Sequence, residues 1–262
     1  MPTYQPFDWY DQALYYDIIF DTDTPTEAQF LEDVHRAHGS TRGRQMLEPA
    51  CGSGRLVSAM VDRGYRVTGV DLSEGMLKFA RERMRAAGQH ATLRHADMTD
   101  FHFAKKKFDT AHCLVSTFKY LLDERSARAH LQCVADALKP GGIYVLGLHL
   151  SEYDDDRPSA ERWVGERDGM HVVCNIRGWP PDRGSRTEQL RSRFVVTQKR
   201  GSVERYETRW TFRTYDEPQL RRLLRSVPDL EHIATYDFCH DINRPIEFGG
   251  EQLDHVLVLR RK

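Results

Sequence analysis

Short strand-like segments punctuate the first half of the chain, at 45–49, 66–70, 91–95, 108–114 and 143–149, the last of them nearly continuous in its apolar residues. Runs of that kind suit strands buried on both faces. Between them, apolar residues recur at helical spacing. Leu56, Val57, Met60 and Val61 predict a helix over 54–63, with Gly64 past its end. Met76, Leu77 and Ala80 predict a second, capped by Ser73, and Leu131, Val134 and Leu138 a third near 124–138. After 214 the rhythm returns: Asp216 caps a helix with Leu220, Leu223 and Leu224 inward, and strands follow at 233–238 and 255–259. Strands alternating with helices predict a parallel sheet covered on both faces. Ahead of the first strand, Thr24 reads as a cap, with Pro25 next and Glu27 three after the cap. Phe30, Leu31 and Val34 then share one apolar face, and Gly39 ends the helix.

Residues 151–214 break this rhythm. They are rich in Arg, Asp, Gly and Pro, and they alternate apolar with polar. Three antiparallel strands are predicted at 171–176, 189–196 and 206–212, with turns at 179–184 and 199–202. The expected domains are therefore an N-terminal helical segment, 1–44, a core of 45–150 and 215–262, and an antiparallel insertion, 151–214. The insertion leaves the fifth strand at the ligand-binding end of the sheet, which makes it a substrate cover; a dimerisation sheet and a plain surface extension are the competing readings.

Composition narrows the partners. With 38 basic and 39 acidic residues the formal charge is −1, so no global positive field draws nucleic acid, although a local patch stays open. Cysteines 51, 113, 133, 174 and 239 are odd in number and not at metal-ligand spacing, which favours reduced thiols and a cytoplasmic location. The stretch Met1–Asp8 has neither the basic start nor the apolar run of a signal peptide, and no segment has the length and apolarity to span a bilayer.

The candidate chemistry gathers at strand ends. In Met46-Leu47-Glu48-Pro49-Ala50-Cys51-Gly52-Ser53-Gly54-Arg55-Leu56 a buried strand passes through a glycine turn into a helix. Gly52 and Gly54 let the backbone bend sharply and approach a ligand, and the helix start turns free N–H groups towards it. Asp71 ends the second strand, where a carboxylate can accept two hydrogen bonds from a ribose diol. Asp97 and Met98 follow the third, where a carboxylate can accept from an exocyclic amine and a backbone N–H can donate to a ring nitrogen. Any one of these acids alone reads more readily as a solvated strand end or a helix cap; the three in order, at this spacing, favour the ligand reading. A dinucleotide dehydrogenase needs a third small residue three places after the second glycine, and position 57 is Val.

The set resembles the class I S-adenosylmethionine-dependent methyltransferases, whose first strand is followed by acid-x-(Gly/Ala)-x-Gly-x-Gly, here Glu48, Ala50, Gly52 and Gly54. Phe108–Leu114 resembles the family's fourth strand and Leu138-Lys139-Pro140-Gly141-Gly142-Ile143 the turn into its fifth. The resemblance implies a Rossmann-like sheet of seven strands, mostly parallel, with an antiparallel last strand. It also implies S-adenosylmethionine as cofactor, S-adenosylhomocysteine as product, and cofactor contacts from Glu48, Ala50, Cys51, Gly52, Gly54, Asp71, Leu72, Asp97, Met98 and Leu114. Cys51 also reads as a small packed side chain. The aromatic, acidic run Trp9–Phe20 is either a helix packed on the core or a lid over the methyl donor; Tyr16-Asp17 resembles such a lid in related small-molecule enzymes.

The end of the fourth strand narrows the class. Cys113-Leu114-Val115-Ser116-Thr117-Phe118 lacks the (Asn/Asp)-Pro-Pro-aromatic run of DNA-base enzymes and the metal-binding acid of catechol-type enzymes. A metal-independent enzyme methylating a nitrogen or oxygen of a small molecule is expected, with its oligomeric state open. An RNA or protein methyltransferase and a silent cofactor-binding module are the alternatives. Phe118 and Tyr120 are candidate pocket walls. His149, at the end of the fifth strand, is the candidate base or else a histidine satisfied by backbone bonds; Tyr153, Arg177 and His240 rank below it. Arg191 and Arg193 share one strand face, near Arg209, either solvated or placed to recognise an acidic substrate.

Overall fold

A computed structural model describes residues 2–105 and 107–262. In chain order the strands are β1 (Gln5–Pro6), β2 (Gln45–Pro49), β3 (Arg66–Asp71), β4 (Thr92–His95), β5 (Phe108–Cys113), β6 (Leu138–His149), β7 (Ser159–Arg167), β8 (Met170–Gly178), β9 (Thr187–Thr197), β10 (Val203–Arg213), β11 (Leu230–Tyr236) and β12 (Asp254–Arg261). The helices are α1 (Ala13–Phe20), α2 (Thr24–His38), α3 (Arg55–Asp62), α4 (Glu74–Ala86), α5 (Glu124–Ala137) and α6 (Glu217–Arg225).

Seven strands form the main sheet in the order β11-β12-β6-β5-β2-β3-β4. The pairs from β6 through β4 are parallel, and β12 runs antiparallel to both neighbours. One face is closed by α2, α3 and α4, with Phe30, Leu31, Leu56, Met60 and Leu77 packed on Met46, Val67, Val145 and Val256. The other is closed by α5 and α6, with Leu131, Val134, Leu220 and Leu223 on Leu47, Ala111, Tyr144 and Leu257. The α/β class follows from the fact that both faces of each central strand are apolar. Ser73 and Asp216 cap their helices as the sequence predicts, Asp216 with a reciprocal bond from Gln219.

Several details differ from expectation. Thr24 is not a cap: its hydroxyl accepts from Arg55, and α2 follows α1 through a tight turn at Asp21–Asp23. Val61 is only partly buried. The Lys-Pro-Gly-Gly segment is not a free turn; Leu138 already pairs with Phe108, and Gly141-Gly142 form an irregularity before Ile143 pairs with Thr110. The second sheet has five strands, β1-β10-β9-β8-β7, not three. Ser159–Arg167 escapes an apolar-pattern reading because most of its side chains are exposed. Its signal was the Asp168-Gly169 pair, both at positive φ, which forms the hairpin into β8. The N-terminal β1 adds to the far edge of this sheet along β10.

The inner face of the second sheet rests on α1. Trp9 lies 4.6 Å from Trp210 and Phe20 4.8 Å from Trp163, between ring centroids, over Val172, Cys174, Phe194 and Val196. The aromatic N-terminal helix thus packs on the insertion, and it covers the strand ends of the main sheet from there.

Candidate active site

Unusual backbone clusters at the C-terminal edge of the parallel strands. After β2, Ala50, Gly52 and Gly54 have φ of 57°, 51° and 72°; after β5, Val115 and Ser116 have φ of 57° and 60°. Such conformations are costly for residues with a Cβ and persist where neighbours enforce them. Gly54 has a second constraint, since a Cβ there would lie 2.8 Å from the Ala80 Cβ and push α3 from α4.

The Gly52 amide donates to Asp71 Oδ2 at 2.7 Å, and the Ser73 amide to Asp71 Oδ1 at 2.8 Å. Asp71 thereby ties the glycine turn to the start of α4 and leaves its carboxylate at the strand edge, beside the exposed Leu72. Cys51 is buried against Gly69, as a packed side chain, and burial pushes its thiol well up. Asp97 Oδ1 accepts from the Thr99 amide and hydroxyl, and Oδ2 has no hydrogen-bond partner among the described residues. The Met98 carbonyl is held by His130 Nδ1 at 3.0 Å, and His130 Nε2 meets the Tyr144 hydroxyl at 2.6 Å. A carbonyl only accepts, so the His130 proton is on Nδ1 and Nε2 accepts from Tyr144. Burial lowers His130 to about 4 and keeps it neutral.

Glu48 is buried, and its Oε2 has no hydrogen-bond partner among the described residues. Desolvation raises its pKa well above the usual carboxylate range. Tyr16 stands over the turn, its ring 3.9 Å from where a Cβ on Gly52 would lie. Behind it, Asp17 is fully buried and joins three elements. Its carboxylate accepts from Ser53 in the glycine turn at 2.6 Å, from Arg167 of β7 at 2.5 Å, and from Arg83 of α4.

The rings continue outward. Tyr16 lies 5.8 Å from Tyr10, Tyr10 6.1 Å from Tyr120, and Tyr120 4.8 Å from Phe212 of the insertion. Beyond Phe212 is a polar cluster. His149 Nδ1 meets Ser116 Oγ at 3.1 Å, and His149 Nε2 meets Glu188 Oε1 at 2.9 Å. Fully buried Lys119 donates to Glu188 at 2.7 Å and touches the same His149 nitrogen. His149 is satisfied by side chains, not by the backbone. Burial brings the Lys119 ammonium down to about 8 against the pull of Glu188. His149 and Lys119 together hold Glu188 at about 2.

A cavity of about 360 Å³ opens at the same edge, between the lid and the insertion. Its walls are Phe20, Trp163, Val115, Phe238 and His240, with Glu27 and Arg55 paired beneath. Phe118 and His149 do not line this cavity. Phe118 is wholly buried between His130 and Tyr215, because the turn after β5 points it back into the core. Tyr153 is also elsewhere, hydrogen-bonded to Thr214 and Gln219. Arg177 and Arg191 flank Trp179 on the outer face of the second sheet, and Arg193 and Arg209 hold Glu207 at 2.7 and 3.0 Å. These arginines are ion-paired or stacked and face away from the site. Lys119 and Glu188 were missed by the sequence reading. Glu188 had a signal: it is in register with Leu190, Ser192, Phe194 and Val196, the inward side of β9.

A family model described as a methyltransferase domain matches residues 46–142. A dTDP-3-amino-3,4,6-trideoxy-alpha-D-glucopyranose N,N-dimethyltransferase of Streptomyces venezuelae is 30% identical over 170 residues, 62% of this chain and 68% of that protein. This chain belongs to the class I S-adenosylmethionine-dependent methyltransferase family. A putative methyltransferase of Geobacillus is 27% identical over 150 residues, 56% of this chain; the match spans 58% of that relative's length. The fold is shared with a crystal structure of an S-adenosylmethionine-dependent methyltransferase from Clostridium acetobutylicum, with a TM-score of 0.75, 20% identity, and coverage of 97% of this chain and 99% of that one. The methyl donor of a class I methyltransferase is S-adenosylmethionine, and S-adenosylhomocysteine is the product. The strand-edge residues fit that group: a Cβ-free turn, two carboxylates at successive strand ends, and a buried carboxylate oxygen awaiting a donor.

Proposed function

We propose that the methyltransferase acts on a nitrogen or oxygen of a small molecule held in the cavity between Phe20, Trp163 and Phe238. The observation that carries this reading is the enclosure: lid and insertion meet over the cofactor edge and leave a space of about 360 Å³. That volume falls within the range of small-ligand pockets and is too small for a nucleic-acid duplex.

Gly52, Gly54, Asp71, Asp97 and Met98 would hold the cofactor, with Tyr16 closing over the turn. The cofactor supplies an electrophilic methyl on a sulfonium. The chain's own residues then have two tasks, to align the nucleophile in a dry site and to accept its proton. Val115 is on the cavity wall, and the next residue, Ser116, bonds to His149. We assign the proton route to Ser116 and His149, with Glu188 facing the imidazolium that forms.

Calorimetry is the first test. S-adenosylhomocysteine is expected to bind and NAD is not; the reverse result defeats the reading. A panel of amino and hydroxy compounds is then assayed for S-adenosylhomocysteine release. Turnover is expected to survive EDTA, and to fall in His149→Ala and Ser116→Ala while homocysteine-product affinity is retained. Binding with no turnover on any compound would favour a silent cofactor-binding module.

A further inference from the structure

The outer face of the second sheet carries a charge pattern that the reaction does not use. Residues paired across strands share a face, so the register gives its rows directly. One row is Arg177, Arg191 and Arg209, three arginines abreast on β8, β9 and β10. The next is Arg162, Asn175, Arg193 and Glu207. The third is Val164, Val173, Val195 and Arg205. Glu207 is the only carboxylate in these rows, and it already serves Arg193 and Arg209. Like charges directly opposite one another destabilise a sheet. The row keeps an excess of positive charge: Arg177 and Arg191 stack on Trp179, and Glu207 is the one carboxylate beside Arg191 and Arg209. Arg191 Nε is buried without a hydrogen bond and lies 3.9 Å from the same Glu207, so one carboxylate faces three guanidinium groups.

We propose that this face docks an acidic amphipathic helix of a partner protein. Neighbouring strands are about 4.8 Å apart, and carboxylates three or four residues apart on a helix are about 5–6 Å apart, so a helix laid across the strands brings one carboxylate to each arginine. The valine row lies one row beyond Arg193 and Glu207, with Val164 49% exposed and Val203 in the row after it 43% exposed, and it meets the apolar stripe of a helix laid over the middle row. A nucleic-acid backbone would give the valines nothing to bury. A second copy of this face would oppose arginine to arginine.

The test uses the full chain and a synthetic helical peptide of about 20 residues, with glutamates at every third or fourth position along one stripe and leucines along the next. A scrambled peptide of equal composition and an oligouridine RNA are the controls, all at near-physiological salt. The ordered peptide is expected to bind and both controls to bind at least about tenfold more weakly, since register adds to plain charge attraction. Replacing Arg177, Arg191 and Arg209 together by Gln is expected to abolish peptide binding, leave S-adenosylhomocysteine binding unchanged, and leave Tm equal or higher because the repulsion is relieved. Equal binding of the scrambled peptide, tighter binding of the RNA, or retained binding by the triple variant each overturns the proposal. A fall in Tm in that variant would do the same, by showing the arginines to be structural ties.

Discussion

Asp71 fixes the glycine turn through the Gly52 amide, and in the proposed site its carboxylate would meet the cofactor's ribose. Asp71→Ala is expected to weaken S-adenosylhomocysteine binding by about 1–3 kcal/mol, the cost of losing a charged hydrogen-bond partner. Asp71→Asn keeps the shape and should lose less. Equal affinities for wild type and Asp71→Ala, by calorimetry, would place the ribose elsewhere. Its place at a strand end was readable from sequence, because strand ends follow from apolar patterning. His149 shows the limit of that logic. Its strand position was legible, but its partners Ser116, Lys119 and Glu188 come from three separate segments, and no local pattern reports their meeting.

At the scale of elements, the joint between β9 and the turn after β5 is the Lys119–Glu188 pair. Its energetics have a defined sign. Glu188 is held at about 2 against an ordinary 4.5, so its contribution is complete above about pH 4.5 and is lost as pH falls towards 2. The shift corresponds to roughly 3 kcal/mol. Urea melts of wild type and Glu188→Gln should therefore differ most at pH 6–7 and converge towards pH 3. A gap that does not change with pH would mean that the pair adds nothing through charge. The strands of the main sheet were all anticipated: central β5 and β6 by the apolar runs that burial on both faces leaves, and the largely exposed edge strand β4 by its place between a helix and the acid that follows it. The hairpin β7–β8 was half missed, since an edge strand with exposed side chains has no such run, and only its Asp-Gly turn marks it.

For the molecule as a whole, helix α1, the insertion and the glycine turn share one anchor, Asp17. Its bonds to Ser53, Arg83 and Arg167 come from three different elements. Asp17→Ala would leave Arg83 and Arg167 with only the half-exposed Asp21 between them and is expected to lower both Tm and S-adenosylhomocysteine affinity. An affinity equal to that of wild type would show that lid position and cofactor retention are independent.

The same anchor has a kinetic side. A cofactor sealed by contacts that must break together escapes more slowly than one held by contacts that break singly. Once a substrate is in hand, rapid mixing should show one fast turnover per active site followed by a slower steady rate, the signature of rate-limiting product escape. Raising ionic strength, which weakens the partly exposed arginine contacts, should speed the slow phase and leave the fast one alone. A trace without a burst, linear from the first turnover, would instead put the chemical step in control.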